Sequence, residues 1–329
     1  MLKDEVLALL EQRDTPCSGS EMARALGVTR AAVWKAVEAL RVEGYHIESA
    51  TNRGYKLAAE QDILSASRIA SLLHTRIVGH SVEILDVVDS TNNYLKEAAR
   101  NGAPEGLAAI ADRQTGGKGR MGRTFQSPPG TGVYLSVLLR PRLPVTDCTI
   151  LTVAAAVCTC RAIEQVTGLR PQIKWVNDLM IDGKKLCGIL TEAAMEFESG
   201  MAEFVVVGIG VNVKPLDGLL SEEVRSIAVS LDELAGGGCF RNRLIAAILN
   251  ELDGFYADIP GNRGEMLREY SRRMFLTGRQ VRIAGETDGR AYTVLGIDDG
   301  AHLIVQDPTG NKRVLSSGEV SVVPLPAEK

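Results

Sequence analysis

Gln114-Thr-Gly-Gly-Lys-Gly-Arg-Met-Gly-Arg123 packs four glycines and three cations into ten residues. An apolar run, Leu107–Ala111, precedes it and another, Val133–Leu139, follows; both have the composition of strands. Glycine tolerates positive φ and lets backbone approach a ligand closely with its amides turned inward. Lys118, Arg120 and Arg123 bring positive charge to the same concavity, which suits gripping a carboxylate or phosphate while it reacts. The spacing is not that of a Walker A loop. Nor does a helical pattern follow directly, as a Rossmann fingerprint requires. The competing reading is a plain solvated basic loop.

Outward from this stretch, strands and helices alternate from about Arg68 onward. Further strand candidates are Val82–Val88, Gln172–Trp175, Leu179–Ile181, Cys187–Ala193 and Phe204–Val213; helices are expected over Asn92–Asn101, Asp147–Thr167, Arg241–Tyr256 and Glu265–Arg273. Alternating and continuous apolar strands both occur, so a mixed sheet flanked by helices fits best. From Thr277 the texture changes to short alternating strands (Gln280–Ile283, Arg290–Ile297, Leu303–Gln306, Arg313–Leu315, Val320–Val322) broken by Gly, Asp and Pro turns, which implies a small closed β-barrel.

The first sixty residues read as three helices and a hairpin. Leu2, Val6, Leu9 and Leu10 recur at helical spacing; Ser20 or Ser18 caps a second helix that ends at Gly27; Thr29 caps a third, with Val33, Val37 and Leu40 on one face. A polar turn, Ala50 to Gly54, joins two strands after it. This is the pattern of a winged helix-turn-helix. Thr29, Arg30, Lys35 and Arg41 are candidate DNA contacts on the third helix, and Arg53 and Lys56 on the wing. Residues 1–60 hold eight Lys and Arg against nine Asp and Glu, so their charge alone does not favour DNA, and a packing module is the bland alternative. The expected domains are therefore 1–60 for DNA, a linker at 61–67, a central domain at 68–276 and the barrel at 277–329.

At roughly 150 residues per domain, 329 residues suit two or three domains. The balance of 37 Lys and Arg against 41 Asp and Glu gives −4, so any anion site has to be local. Asp4, Glu5 and Glu11 interrupt the N-terminal apolar run, so no secretion signal is read. The most apolar stretch, Ile150–Cys160, is about half of the ~20 residues a membrane span needs. Six cysteines without a CxxC pair and four scattered histidines imply reduced thiols and no zinc. A cytoplasmic protein away from membranes is expected.

Two further constellations follow: Lys174-Trp-Val-Asn-Asp178, where a lysine between apolar strands aims a cation into a cleft, and Gly208-Ile-Gly-Val-Asn212, where glycines thin a strand. Each is weak alone. Together they resemble a family. The glycine loop is similar to the GRGRRGR loop of biotin protein ligases, Lys174–Asp178 to their KWPND, Gly208–Asn212 to their GxGxN, and Asp89-Ser-Thr-Asn92 to their DSTN, while Gln114 falls where the family has a glutamine. With a winged helix before and a small barrel after, the order resembles the bifunctional biotin ligases that also repress the biotin operon. Three positions depart: Val176 replaces proline, Lys118 replaces arginine, which keeps charge but loses the bidentate fork, and Phe125 stands where tryptophan is usual.

The resemblance implies an α+β fold with a class II synthetase-like central sheet and an SH3-like C-terminal barrel. It implies a ligase that uses ATP and Mg²⁺ to form biotinyl-5′-AMP and transfers biotin to a lysine of the biotin carboxyl carrier protein domain of acetyl-CoA carboxylase or another biotin enzyme. On matched positions, Arg120, Lys174 and Asp178 are the catalytic candidates. Ser90, Thr91, Asn92, Gln114, Gly117, Lys118, Gly119, Arg120, Lys174, Gly208 and Gly210 are expected around biotin, and Arg120, Arg123, Phe125, Asn177, Asp178 and Asn212 around the adenylate. No haem and no metal held by protein ligands are expected. Operator DNA and a homodimer of the adenylate-bound form complete the implied partners. The alternatives are a lipoate or octanoate ligase of the same superfamily and a biotin-sensing transcription factor without catalysis.

Overall fold

The computed structural model describes residues 2–13, 15–42, 45, 47–50, 54–58, 62–215, 222–238, 241–284, 286, 289–316 and 322–324. The chain divides into two compact units, Met1–Ser71 with Phe240–Asn242, and Leu72–Cys239 with Arg243–Lys329.

In the first unit, helices α1 (Leu2–Glu11), α2 (Gly19–Leu26) and α3 (Arg30–Val42) precede the antiparallel hairpin β1 (Ile47–Ala50) and β2 (Gly54–Leu57), then α4 (Ala66–Ser71). Ser18 caps α2, accepting from Glu21 N at 3.1 Å, and Gly27 ends it in the left-handed region at φ +67°. Thr29 Oγ1 caps α3 by accepting from Ala32 N at 3.2 Å. Val6, Leu10, Met22, Val33, Val37 and Leu40 meet in one core, each 2% exposed or less. Gly54 has no alternative: at φ +95°, a Cβ there would lie 2.2 Å from Cys17 O, where Cys17 and Tyr55 exchange backbone hydrogen bonds. The expected linker overlaps the start of α4. Arg53 and the rest of the wing turn, 51–53, lie outside the described residues.

The second unit is built on seven strands in the order β3-β4-β5-β9-β8-β7-β6. They are β3 (Ser81–Val88), β4 (Leu107–Gln114), β5 (Gly132–Leu139), β6 (Gln172–Lys174), β7 (Asp178–Ile181), β8 (Lys184–Met195) and β9 (Ala202–Asn212). β3 and β4 run parallel, joined by α5 (Thr91–Arg100), and every other pair is antiparallel. All eight residues of central β5 are buried, as a strand covered on both faces requires. α5 seats Leu95 and Ala99 on one face, against Ala109, Leu138 and Val206. On the other face, α6 (Thr149–Thr167) brings Leu151 and Ala154 toward Val137, Leu139 and Val207. The segment Val145–Thr167, 23 residues with an 18-residue window at mean hydropathy 1.4, is longer than the half-span expected and is apolar enough to cross a membrane, but 78% of that window is buried inside the protein. It is the core helix of this sheet.

The short helices α7 (Glu222–Ile227) and α8 (Leu231–Ala235) escape the periodicity argument, although α8 carries a legible capping box, Ser230 with Glu233. α9 (Arg241–Tyr256) matches its expected span, while α10 (Ile259–Arg273) starts six residues early. Its Asp258 cap and a proline in the first turn are start signals, not breaks. β10 (Gln280–Ile283), β11 (Tyr292–Ile297), β12 (Leu303–Gln306), β13 (Lys312–Leu315) and β14 (Val322–Pro324) form one antiparallel sheet, curled as a half-barrel in the order β13-β12-β11-β10-β14. Residues 320 and 321 of the last expected strand lie outside the described residues. Ile163 of α6 is fully buried, so Ile163→Ala should cost about 2–5 kcal/mol by chemical denaturation, through lost burial plus the cavity left.

Candidate active site

Backbone register puts one row of residues across five strands. Tyr134 of β5 pairs with Gly210 of β9, Gly210 with Gly188 of β8, Gly188 with Asp178 of β7, and Asp178 with Lys174 of β6. Paired residues share a face, so this row is a trough with two glycines at its floor. Two residues along lies a second row, Ser136–Gly208–Leu190. Around these rows opens a cleft of about 730 Å³.

One end of the cleft is a neutral polar wall. Ser90, Thr91 and Asn92, at the start of α5, are 2–4% exposed. Ser90 holds the N-cap position but makes no side-chain capping bond; instead Gln114 Oε1 accepts from Thr91 N at 2.9 Å, capping the helix from β4. Gln114 Nε2 donates to Ser127 Oγ at 2.9 Å. Asn92 lies over Gly208, where a Cβ would come within 2.2 Å of its Oδ1.

The glycine loop is a small hairpin above the floor. Gly119 N donates to Arg123 O at 2.7 Å and Phe125 N to Gly117 O at 2.9 Å, and the tip, Arg120–Gly122, turns through a left-handed Met121 at φ 55°. Gly117 has to be glycine, since a Cβ would stand 2.3 Å from Phe125 O. Phe125 reaches back over Gly188 and Gly210, leaving 2.6 Å to a Cβ on Gly210, and meets Tyr134 edge-on at 6.4 Å.

The other end is cationic. Arg120 Nη1 donates to Asn177 Oδ1 at 3.3 Å, and Lys185 Nζ stands 2.6 Å from Asp178 Oδ1, close enough to pair charges but off the direction of a hydrogen bond. Burial lowers the pKa of both Arg120 and Lys174, with Asp178 opposing the shift in each case. Asn177 Nδ2 donates to Ile189 O at 2.8 Å, and Asn212 Nδ2 to Val229 O at 3.2 Å, so both asparagines hold strand ends. Arg123, on the loop, also lines the cleft. Lys118 leans the other way, donating to Asn93 Oδ1 at 2.8 Å.

The structure thus brings the ligand-site candidates, Gly117 excepted, into one cleft and adds residues that the reading missed: Gly188 and Lys185 on the lining, and Ser136 and Glu192 behind it. Lys185 sits in an ordinary pair, Lys184-Lys185, at the start of β8, and only the side-chain geometry shows it facing Asp178.

A family model, the Biotin/lipoate A/B protein ligase family, matches residues 84–212, and an HTH domain model matches residues 3–56. Bifunctional ligase/repressor BirA of Bacillus subtilis (strain 168) is 36% identical over 321 residues, 96% of this chain and 97% of that protein. The chain belongs to the bifunctional ligase/repressor BirA family. BirA of Escherichia coli (strain K12) is 32% identical over 235 residues, covering 71% of this chain. Among solved structures, "Biotin protein ligase from Aquifex aeolicus in complex with biotin and ATP" matches with TM-score 0.62 at 27% identity, over 75% of this chain and 100% of that one.

The repressor half of this BirA-family chain presents its third helix to solvent. Thr29, Arg30 and Lys35 are exposed, and so is Trp34 at 53%, which the sequence reading did not single out. Lys56 is half-buried. Arg41 is committed elsewhere: Nε and Nη2 donate to Ile47 O at 3.1 and 2.6 Å and Nη1 pairs with Glu38, tying helix to wing. In the catalytic half, Gly208→Ala drives a methyl into Asn92; we expect about 1–3 kcal/mol lost by denaturation, from overpacking against a tethered side chain.

Proposed function

We propose that this chain activates biotin with ATP, passes it to a carrier lysine, and represses transcription through its winged helix. One observation carries the ligase reading: a glycine-floored trough joins a neutral polar wall to a cationic end. A ring urea needs paired donors and acceptors inside a largely apolar pocket, and Ser90, Thr91, Asn92 and Gln114 supply them, with Gly208 leaving room. The first step sets biotin's carboxylate against the α-phosphate, anion against anion. Arg120 and Lys174 offset that repulsion as the carboxylate oxygen bonds to phosphorus and pyrophosphate leaves with the electron pair. Arg123 and Lys185 are assigned to the phosphates, Lys118 with Gly117 and Gly119 to the loop's hold on biotin, and Phe125, above Gly210, to the adenine. Asn177 and Asn212 keep the strand ends of the adenylate side in place.

In the second step the carrier's ε-amine attacks the mixed anhydride and AMP departs. Asp178 orients that amine, its own charge steadied by Lys185. Asp178 is the only carboxylate lining the cleft among the described residues and is already ion-paired, so these residues do not form a metal cage. They suit a Mg²⁺ that arrives on the triphosphate, where it would neutralise phosphate charge.

We assign operator DNA to residues 1–60 through Thr29, Arg30, Lys35 and Lys56, with Arg41 as a strut and Arg53 on the wing turn, and the chemistry to 68–276, supported by 277–329. The carrier is the biotin carboxyl carrier protein domain of a carboxylase, the adenylate-bound form is a homodimer that matches a two-fold operator, and the site of action is the cytoplasm. Against a lipoate or octanoate ligase stands the polar wall, which an apolar acyl chain leaves unused. Against a sensor without catalysis stand Arg120 and Lys174, cations that a merely bound vitamin does not require.

Purified protein with biotin, ATP and Mg²⁺ should release pyrophosphate and label a carrier domain; binding of biotin with no pyrophosphate released sinks the ligase reading. Lys174→Ala should slow pyrophosphate release by roughly 10²–10³-fold, and a near-normal rate refutes its assignment. Because burial lowers the Lys174 pKa, its charge is present at low pH and lost as pH rises through a value below the ordinary 10.5. The wild-type rate should therefore fall on the alkaline limb, and Lys174→Arg should move that limb to higher pH. On operator DNA, Arg30→Ala should weaken a gel shift by about tenfold or more at physiological salt, and unchanged binding removes Arg30 from the interface.

A further inference from the structure

Behind the polar wall lies an ion pair that the reaction above does not use. Lys96 Nζ stands 2.6 Å from Glu192 Oε1, the side chains 21% and 28% exposed. Glu192 Oε2 accepts from Asn92 Nδ2 at 2.8 Å, and Leu190 O accepts from the same nitrogen at 3.2 Å. Burial opposes the Glu192 charge, but hydrogen bonds from Lys96 and Asn92, with the nearby Lys96 and Lys118 ammoniums, outweigh it and hold the carboxyl below its ordinary pKa.

A carboxylate accepts and never donates. Asn92 therefore turns its NH₂ toward Glu192 and its Oδ1 toward Ser136, which lies 2.6 Å away and is fully buried. Ser136 has one proton, and Oδ1, which can only accept, takes it. At the other end, Gln114 Oε1 is already held by Thr91 N, so its NH₂ faces Ser127, whose own proton goes to Phe125 O at 3.1 Å. That leaves the Thr91 hydroxyl, 2.7 Å from Ser136 Oγ and 3.1 Å from Gln114 Oε1, as the donor in this chain with a choice of partner. The half-buried Glu192 carboxylate, with the Leu190 carbonyl, orders the Asn92–Ser136 side of the wall, and the Thr91 hydroxyl can turn from either of its protein partners to a ligand's carbonyl oxygen.

We propose that Glu192, set by Lys96, is a positioning residue that fixes the donor–acceptor order of this wall and so selects a ring urea by its strongly accepting oxygen. This rests on the biotin reading of the cleft. Glu192 touches neither substrate nor reacting atoms in this scheme; it acts through Asn92 and Ser136.

Glu192→Gln keeps the size but can donate as well as accept, so only the Leu190 carbonyl, at 3.2 Å, still favours one orientation of the Asn92 amide and the order loosens. The test follows pyrophosphate release with biotin and with its thiourea analogue, in which sulfur, a weak acceptor, replaces the ring oxygen. In Glu192→Gln, the KM for biotin should rise about tenfold, with kcat and the KM for ATP within about twofold, and the kcat/KM preference for biotin over the thiourea should fall about tenfold. Lys96→Gln, at the outer end of the pair, should lower that preference in the same direction by a smaller factor, and it serves if Glu192→Gln fails to fold. A merely structural role depresses kcat and both substrates alike. A preference unchanged in a folded variant overturns the proposal while wild-type activity keeps the ligase reading intact. Wild-type protein that releases no pyrophosphate overturns both.

Discussion

Everything in the catalytic unit depends on space left where a side chain would ordinarily stand. Gly208 and Gly210 on β9 lie beside Gly188 on β8 in the sheet, and Asn92 and Phe125 already occupy the volume that Cβ atoms on Gly208 and Gly210 would take. A strand interior disfavours glycine, which packs nothing and loses the most conformational freedom on folding. The sheet bears that cost where the cleft opens over β8 and β9. On either side of the glycines, register alone sets a polar row toward α5 and a charged row toward β6.

The charged end is held in tension. Arg120 and Lys174 are buried enough that their charges are disfavoured; Asp178 opposes that at both, and Asn177, itself held by the Ile189 carbonyl, accepts from Arg120. Five cations line a cleft with one carboxylate among the described residues, so the site is incomplete until anions arrive. Such a site costs stability and gains it back from substrate, and a preorganised positive field needs no rearrangement at the moment of reaction. The polar end is the opposite case: neutral side chains joined in a hydrogen-bonded chain, with the Lys96–Glu192 ion pair behind Asn92.

Much of this was legible in particular residues. The apolar strands, Gly27 between two short helices and the four motifs named the fold and family, because each is a local pattern that local physics reads. What stayed hidden was non-local. α10 begins at Ile259 because Pro260 starts a helix there, although a proline beside glycines reads as a break. Arg41 reads as a free cation on a recognition helix, yet its fork closes on the Ile47 carbonyl of the wing. Lys185 and Glu192 belong to no motif, and only the fold brings them to Asp178 and Asn92.

The sequence by itself determined most of the long helices and strands, that a winged-helix unit precedes a ligase sheet, and where the cations and glycines of the site must be sought, since hydrophobic period, caps and glycine spacing act over a few residues. Only the tertiary structure decided that Tyr134, Gly210, Gly188, Asp178 and Lys174 form one row, that Lys185 faces Asp178, and that Glu192 stands behind Asn92. Those relations belong to strand register and to side chains about 100 positions apart in the chain, and a shift of one residue in pairing would have turned every one of them to the opposite face.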